Sequence, residues 1–266
     1  MAKPTLFLVF SFIALVLADG RAQGTAPAIW SAPPPTLSVT VTPSVVSQYM
    51  FRGMRYGGAA FQPTAELNFG RLVGGLWGSF PLRDKVRGVS DPELDIYASA
   101  AWPISPGIEL VPGFTWYHFP NAERSAGFHR QLFEPNLALT YTGAGFRISP
   151  KLYYDVVRDG FTAELSAFYA FPLTRLGTEL DFTATVGSYL WQDAVKTTAS
   201  ATKNWGDYGS AGVAVPYQIT SAGRVTLGFA YVKGTNNYFK QASAPRARNS
   251  AAGGRGVVSL YYSHEF

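Results

Sequence analysis

The chain has 266 residues, a formal charge of +5 at pH 7, no cysteine, and a composition poor in charged residues (15%) beside 15% aromatics. The missing cysteines exclude disulfide staples and thiolate metal sites, and the basic residues stand singly rather than in the blocks a nucleic-acid surface needs. The length allows one large β domain.

Residues 1–22 read as a secretory signal peptide. Lys3 precedes an apolar run, 6–18, and the small residues Gly20 and Ala22 mark a cut site after Ala22. The run is shorter than the ~20 residues of a spanning helix. Residues 23–36 are rich in Pro and Ala, with Pro33-Pro34-Pro35 at their end, as in an extended periplasmic lead-in. The domain proper is expected over 37–266.

That domain is written in period two. Leu37, Val39, Val41, Val45, Tyr49 and Phe51 share one parity, and Ser38, Thr40, Thr42, Ser44 and Gln48 the other, with Pro43 predicting a kink. Phe61, Ala65, Leu67 and Phe69 follow, then a glycine-rich strand over 72–80 whose parity is ambiguous. Leu94, Ile96, Ala98, Ala100 and Trp102 lead to a turn at Pro106-Gly107, and Ile108, Leu110, Phe114 and Trp116 come next. The same alternation recurs over 133–141, 146–155, 161–171, 180–186, 211–217, 225–231 and the final segment. The total is about twelve strands of roughly ten residues, the length of a tilted membrane strand.

The links between them alternate in length. Gly70-Arg71, 103–107, 142–145, 172–177 and 220–223 are short, whereas 52–60, 81–92, 119–130, 192–206 and 233–254 are longer, with 157–160 the exception. A soluble sandwich has no reason to sort its loops this way; outer-membrane barrels have short periplasmic turns and long surface loops. Aromatics near strand ends (Phe51, Trp102, Trp116, Tyr141, Phe171, Tyr217, Tyr231) suit two membrane interfaces. The expected fold is all-β, a transmembrane antiparallel up-and-down β-barrel. Its last strand ends on the aromatic Phe266, and resembles the signal that the barrel-assembly machinery reads in bacterial outer-membrane proteins.

The segment Val46-Ser47-Gln48-Tyr49-Met50-Phe51-Arg52-Gly53 resembles the first strand of the TorF-type porin family, V-S-D-Y-x-F-R-G. Gln62-Pro63, the stretch from Glu93 to Tyr97, Trp116-Tyr117-His118-Phe119-Pro120 with Glu134 downstream, and Tyr153-Tyr154-Asp155 extend the likeness. Gln48 stands where that family usually has Asp. The resemblance implies an outer-membrane channel and supplies no catalytic residues or cofactor.

The candidate chemistry is electrostatic. Period two points Glu66, Glu93, Asp95, Glu134, Lys151, Asp155 and Glu164 into the lumen, on neighbouring strands and, except Lys151 and Glu66, toward the outer half. Lys151 is expected to pair with Glu134 or Glu164. Glu109, Arg147, Glu179, Asp181 and Arg224 fall at the periplasmic mouth, and inward Tyr97, Tyr153 and Tyr189 are expected to narrow the bore. A wall of carboxylates predicts a small diffusion channel for hydrophilic solutes with cation preference. Two alternatives compete: a lipid-modifying outer-membrane enzyme, and a closed barrel serving structure or surface binding. Ser263-His264-Glu265 offers the residue types of a hydrolase triad, but strand neighbours face opposite ways, and no G-x-S-x-G or HExxH occurs. The expected partners are outer-membrane lipid and lipopolysaccharide, met by the basic 233–254 loop, together with the assembly machinery at Phe266 and small solutes; no nucleic acid is expected.

Overall fold

The computed structural model describes residues 36–85, 91–122, 129–192, 203–235 and 254–266. The expected signal peptide, nearly all of the lead-in, and most of the 233–254 loop lie outside the described residues.

The first barrel strand consists of β1 (Leu37–Thr42) and β2 (Ser44–Val46), interrupted at Pro43, which has no N–H to give. The chain then leaves the wall as a hairpin, β3 (Tyr49–Phe51) and β4 (Met54–Gly57). It returns through β5 (Ala60–Phe61) and β6 (Thr64–Phe69) as the second barrel strand, and continues with β7 (Leu72–Pro81). β8 (Glu93–Ala100) and β9 (Trp102–Ser105) form the fourth. Then come β10 (Ile108–His118), β11 (Gln131–Gly143), β12 (Phe146–Asp155) and β13 (Gly160–Leu173). β14 (Thr178–Gln192), β15 (Lys203–Gln218), β16 (Gly223–Gly234) and β17 (Arg255–Glu265) complete the wall. Every pairing is antiparallel between sequential strands, and β17 pairs back with β1 and β2. The result is a closed twelve-stranded antiparallel barrel. Among the described residues no helix is long and apolar enough to cross a membrane.

Period two decides which residue meets which solvent. Leu72, Leu76, Ile96, Leu137, Leu152, Phe182, Leu227 and Leu260 all point outward and stay exposed, while Glu93, Asp95, Glu134, Asp155, Thr162 and Tyr189 on the opposite parity are buried. An apolar belt around a polar interior is the reverse of a water-soluble barrel and suits hydrocarbon. Trp102, Tyr141, Phe171 and Tyr217 lie on this belt near one rim and Tyr231 near the other, all exposed.

The rims differ as the link lengths predict. One carries tight turns such as Ala144-Gly145, whose φ values of 52° and 79° are both positive, as the two-residue hairpin turn with the strands' own twist demands. The other carries 82–92, 119–130 and the short exception at 156–159.

Two expectations need correction. The first strand does not run on to Phe51: Tyr49 and Phe51 are 7% and 6% exposed inside the barrel, so Phe51 is no interface aromatic. Its parity matches the outer face, but the chain has already turned inward. β14 and β15 run farther than 186 and start earlier than 211, which brings Tyr189 and Tyr208 into the wall. Tyr97 and Tyr189 do face inward, each with its ring against a glycine of a neighbouring strand, Gly75 and Gly206. That contact also settles the third strand, whose Gly75, Trp77 and Ser79 face in.

Candidate functional site

The β3–β4 hairpin lies within the loop-side half of the lumen and touches the wall on many sides. Its sequence explains why it goes there. Tyr49, Met50, Phe51, Met54 and Tyr56 are all under 9% exposed, too apolar for a surface loop. All but Met50 pack among Tyr117, Phe119, Leu132, Tyr189 and Tyr208, with Trp77 beside them, while Met50 packs on Val232. The ring centroids of Tyr49 and Trp77 lie 5.6 Å apart, those of Phe51 and Tyr117 6.1 Å.

Arg52 at the tip crosses to the sixth barrel strand. Its Nη1 and Nη2 donate to Glu134 Oε2 and Oε1 at 2.7 and 2.6 Å, a two-pronged pair with both side chains 1% exposed or less. Tyr117 Oη donates to the same carboxylate at 3.2 Å. The guanidinium carbon lies 4.5 Å from the centroid of Tyr153 on the seventh strand, a cation–π stack. Gly53 reaches the tenth and eleventh strands: a Cβ there would sit 2.6 Å from Tyr208 Cβ and 2.8 Å from Gly234 Cα, so only glycine lets the tip seat. At the root, Tyr49 Oη donates to Glu93 Oε2 at 2.8 Å. Arg55 donates to Gln48 Oε1 at 2.8 Å and Asp84 Oδ2 at 3.2 Å.

The candidate acids are therefore brought together, but with partners that parity alone does not disclose. Glu134 is held by Arg52 rather than Lys151. Asp155 accepts from the backbone N–H of Val157 and Arg158 at 3.0 and 2.9 Å and pairs with the Arg158 side chain, so it fastens its own turn. Glu93 and Asp95 lie next to each other on one wall, and Asp95 Oδ1 is buried without a hydrogen bond. Lys151 stands in register opposite Glu164, with its Nζ 4.8 Å from the Tyr153 ring centroid. Glu164 accepts from Tyr153 and Tyr208, each at 3.2 Å.

Toward the turn rim the lumen opens. Glu66, Lys151, Glu164, Arg147 and Asp181 are partly exposed, as are Glu109, Glu179 and Arg224. Asp181 lies within electrostatic range of Glu179, Arg224 and Arg147. The sequence triplet at the C-terminus is divided: Ser263 Oγ bonds Thr42 Oγ1 at 2.8 Å, while Tyr262 Oη and His264 Nδ1 lie 3.0 Å apart on the opposite face. Among the described residues no group of three or more His, Cys, Asp and Glu could hold a metal ion.

Arg52, Tyr49, Arg55, Arg158, Tyr117 and Tyr208 are site residues absent from the acids and bases that the sequence singles out, although Tyr117 and Tyr208 have the inward parity of their strands. A signal for the first three was present: two short aromatic runs flank Arg52-Gly53, the pattern of a tight hairpin.

An apolar-coated closed barrel with an ionisable lumen defines the class, a twelve-stranded up-and-down β-barrel of the membrane-spanning kind. The chain belongs to the family described as "Bacterial protein of unknown function (Gcw_chp)", whose pattern matches residues 30–252. No curated protein matches the sequence. Among solved structures, the chain is similar to the NanC porin at 8% identity, covering 85% of this chain and 98% of that one with a TM-score of 0.54, which shows the shared fold. The KdgM porin gives 10% identity, 86% and 99% coverage and a TM-score of 0.49. The COG4313 outer membrane channel from Pseudomonas putida F1 gives 11%, 91% and 100%, and 0.46.

Proposed function

We propose that the chain is an outer-membrane channel for passive diffusion of small hydrophilic solutes, with a preference for cations. The observation that carries it is the polar, ionisable lumen inside an apolar barrel surface: a protein that only needed to fold would fill so small a bore with apolar side chains. The likeness to the TorF-type porin family over the hairpin segment supports the same reading, as does the fold shared with the NanC porin. An export signal over 1–22 would deliver the chain to that membrane.

The cation preference rests on charge left over after pairing. Arg52 and Arg158 serve Glu134 and Asp155. The remaining wall acids Glu66, Glu93, Asp95 and Glu164, with Glu109, Glu179 and Asp181 at the mouth, face Lys151, Arg147 and Arg224. Such an excess attracts counter-ions and repels co-ions, less so in high salt. In this reading the exposed loop-side residues Arg83, Lys85 and Arg130 would meet lipopolysaccharide phosphates, and the exposed Phe266 would be read by the assembly machinery.

The filled loop-side half favours a second reading, a closed barrel with a structural role. Purified protein in planar bilayers separates the two. Stepwise conductance with a cation-side reversal potential in a salt gradient is expected, and Glu66→Gln/Glu164→Gln should move that potential toward zero. An anion-side potential rejects the preference; a folded barrel that passes no current under any condition rejects the channel.

A further inference from the structure

We propose that the β3–β4 hairpin is a gate, latched by Arg52 on Glu134, and that solute passes only when it leaves the wall. The proposal rests on the channel reading and adds its regulation.

The hairpin is built to move as a unit. It forms a two-stranded sheet of its own, and no rung of the barrel ladder includes its residues 49–57. Withdrawing it therefore breaks no wall pairing. The barrel side of its neck is pinned: Ser47 N donates to Val258 O at 2.8 Å, and Leu82 N to Ala59 O at 2.7 Å. Beyond those pins Gly58 N donates to Arg83 O at 3.1 Å and Gln48 Nε2 to Gly256 O at 2.9 Å, so a swing of the neck exchanges these two bonds, with Gly57-Gly58 supplying the backbone freedom a hinge needs.

In the seated position the hairpin spans the bore, with contacts on opposite walls. It meets the fourth strand at Glu93, the fifth at Tyr117, the sixth at Glu134, the seventh at Tyr153, and the tenth and eleventh at Tyr208 and Gly234. The buried faces of these residues are the bore.

What holds it is asymmetric. The apolar contacts of Phe51, Met54 and Tyr56 favour the seated state without fixing its orientation. The fixed point is the two-pronged Arg52–Glu134 pair, whose geometry accepts one position. Arg52 and Gly53 take φ values of 45° and 73°, the two positive angles a two-residue hairpin turn requires, so the turn itself aims the guanidinium at Glu134. On release, water entering the bore solvates both charges. A pair desolvated when made and solvated when broken is suited to switching rather than to permanent closure.

The test uses the absence of native cysteine. Arg52→Cys/Glu134→Cys, joined by a short reducible bis-thiosulfonate linker in the folded barrel, is expected to be silent in planar bilayers and to conduct after reductant is added. Arg52→Ala alone should raise the open fraction about tenfold or more, the population shift that follows from losing a charged hydrogen-bonded pair. A barrel with 49–57 replaced by a Gly-Ser link, its folding checked by heat-dependent gel mobility, should stay open with larger steps. If the linked protein conducts as freely as the reduced one, the gate is overturned and the channel stands. If the folded hairpin-less barrel carries no current, both are overturned.

Discussion

Glycines opposite tyrosines are the residue-scale device of this wall. Gly187 faces Tyr208 and Gly206 faces Tyr189 in register across β14 and β15, and a Cβ would come within 2.3 and 2.4 Å of the respective tyrosine Cζ. The ring covers backbone that a side chain would otherwise shield, and its hydroxyl is aimed: Tyr208 Oη reaches Glu164, Tyr97 Oη reaches Glu66 at 2.9 Å. Gly187→Ala should therefore cost about 1–3 kcal/mol, as overpacking does, measured by urea unfolding in detergent. In a Tyr208→Ala background the same change should cost much less; equal costs would reject the contact as its cause. At this scale the sequence disclosed which acids face in, because parity alone decides that. It could not disclose that Glu134 meets Arg52, since the two lie 82 positions apart and meet across the bore.

Elements were legible in proportion to how well they obey the wall's period. β11, β12 and β13 lie where alternation places them, whereas β3 and β4 do not. Tyr49 and Phe51 keep the outward parity of β1, so nothing in their spacing reveals that Ser47 and Gln48 have bent the chain inward. Turns were legible from glycine, with one informative exception. Ala144 takes φ 52° in a turn where Asn, Asp or Gly is usual. Left-handed backbone costs a non-glycine residue ~1–2 kcal/mol, so Ala144→Gly should stabilise the β11–β12 hairpin by about that order, offset in part by unfolded-state entropy. A raised midpoint in the same urea titration is the expected result, and a lowered one would show that the alanine methyl makes a compensating contact.

For the whole molecule, the sequence disclosed closure, strand number and the division into a turn rim and a loop rim, all of which follow from local patterning. It left hidden the packing of the lumen, which depends on where distant strands meet once the sheet has curled. We expect the loop rim to face the medium. Because the chain has no cysteine, a single one reports its own side of the membrane. Lys85→Cys should react with an impermeant maleimide on intact cells and Arg175→Cys only after lysis; the reverse pattern would invert the barrel. Detergent-folded protein should give a β-type far-UV spectrum with little helix and migrate differently before and after boiling.

The wall itself is not uniform around its circumference. Between β17 and its neighbour the ladder runs from Thr40–Glu265 and Val41–His264 to Ser44–Tyr261, and Pro43 interrupts it. Pro43 accepts from Tyr262 N at 3.1 Å but has no amide proton to return. The same line joins the two ends of the chain, so nothing covalent backs it up, whereas most other strand pairs are tied at one rim by a tight turn. Amide protons along β1, β2 and β17 should consequently be the first in the wall to exchange with heavy water. A barrel with a zipper of this kind yields sideways along one line, so its mechanical failure begins next to lipid and its interior is breached through the flank.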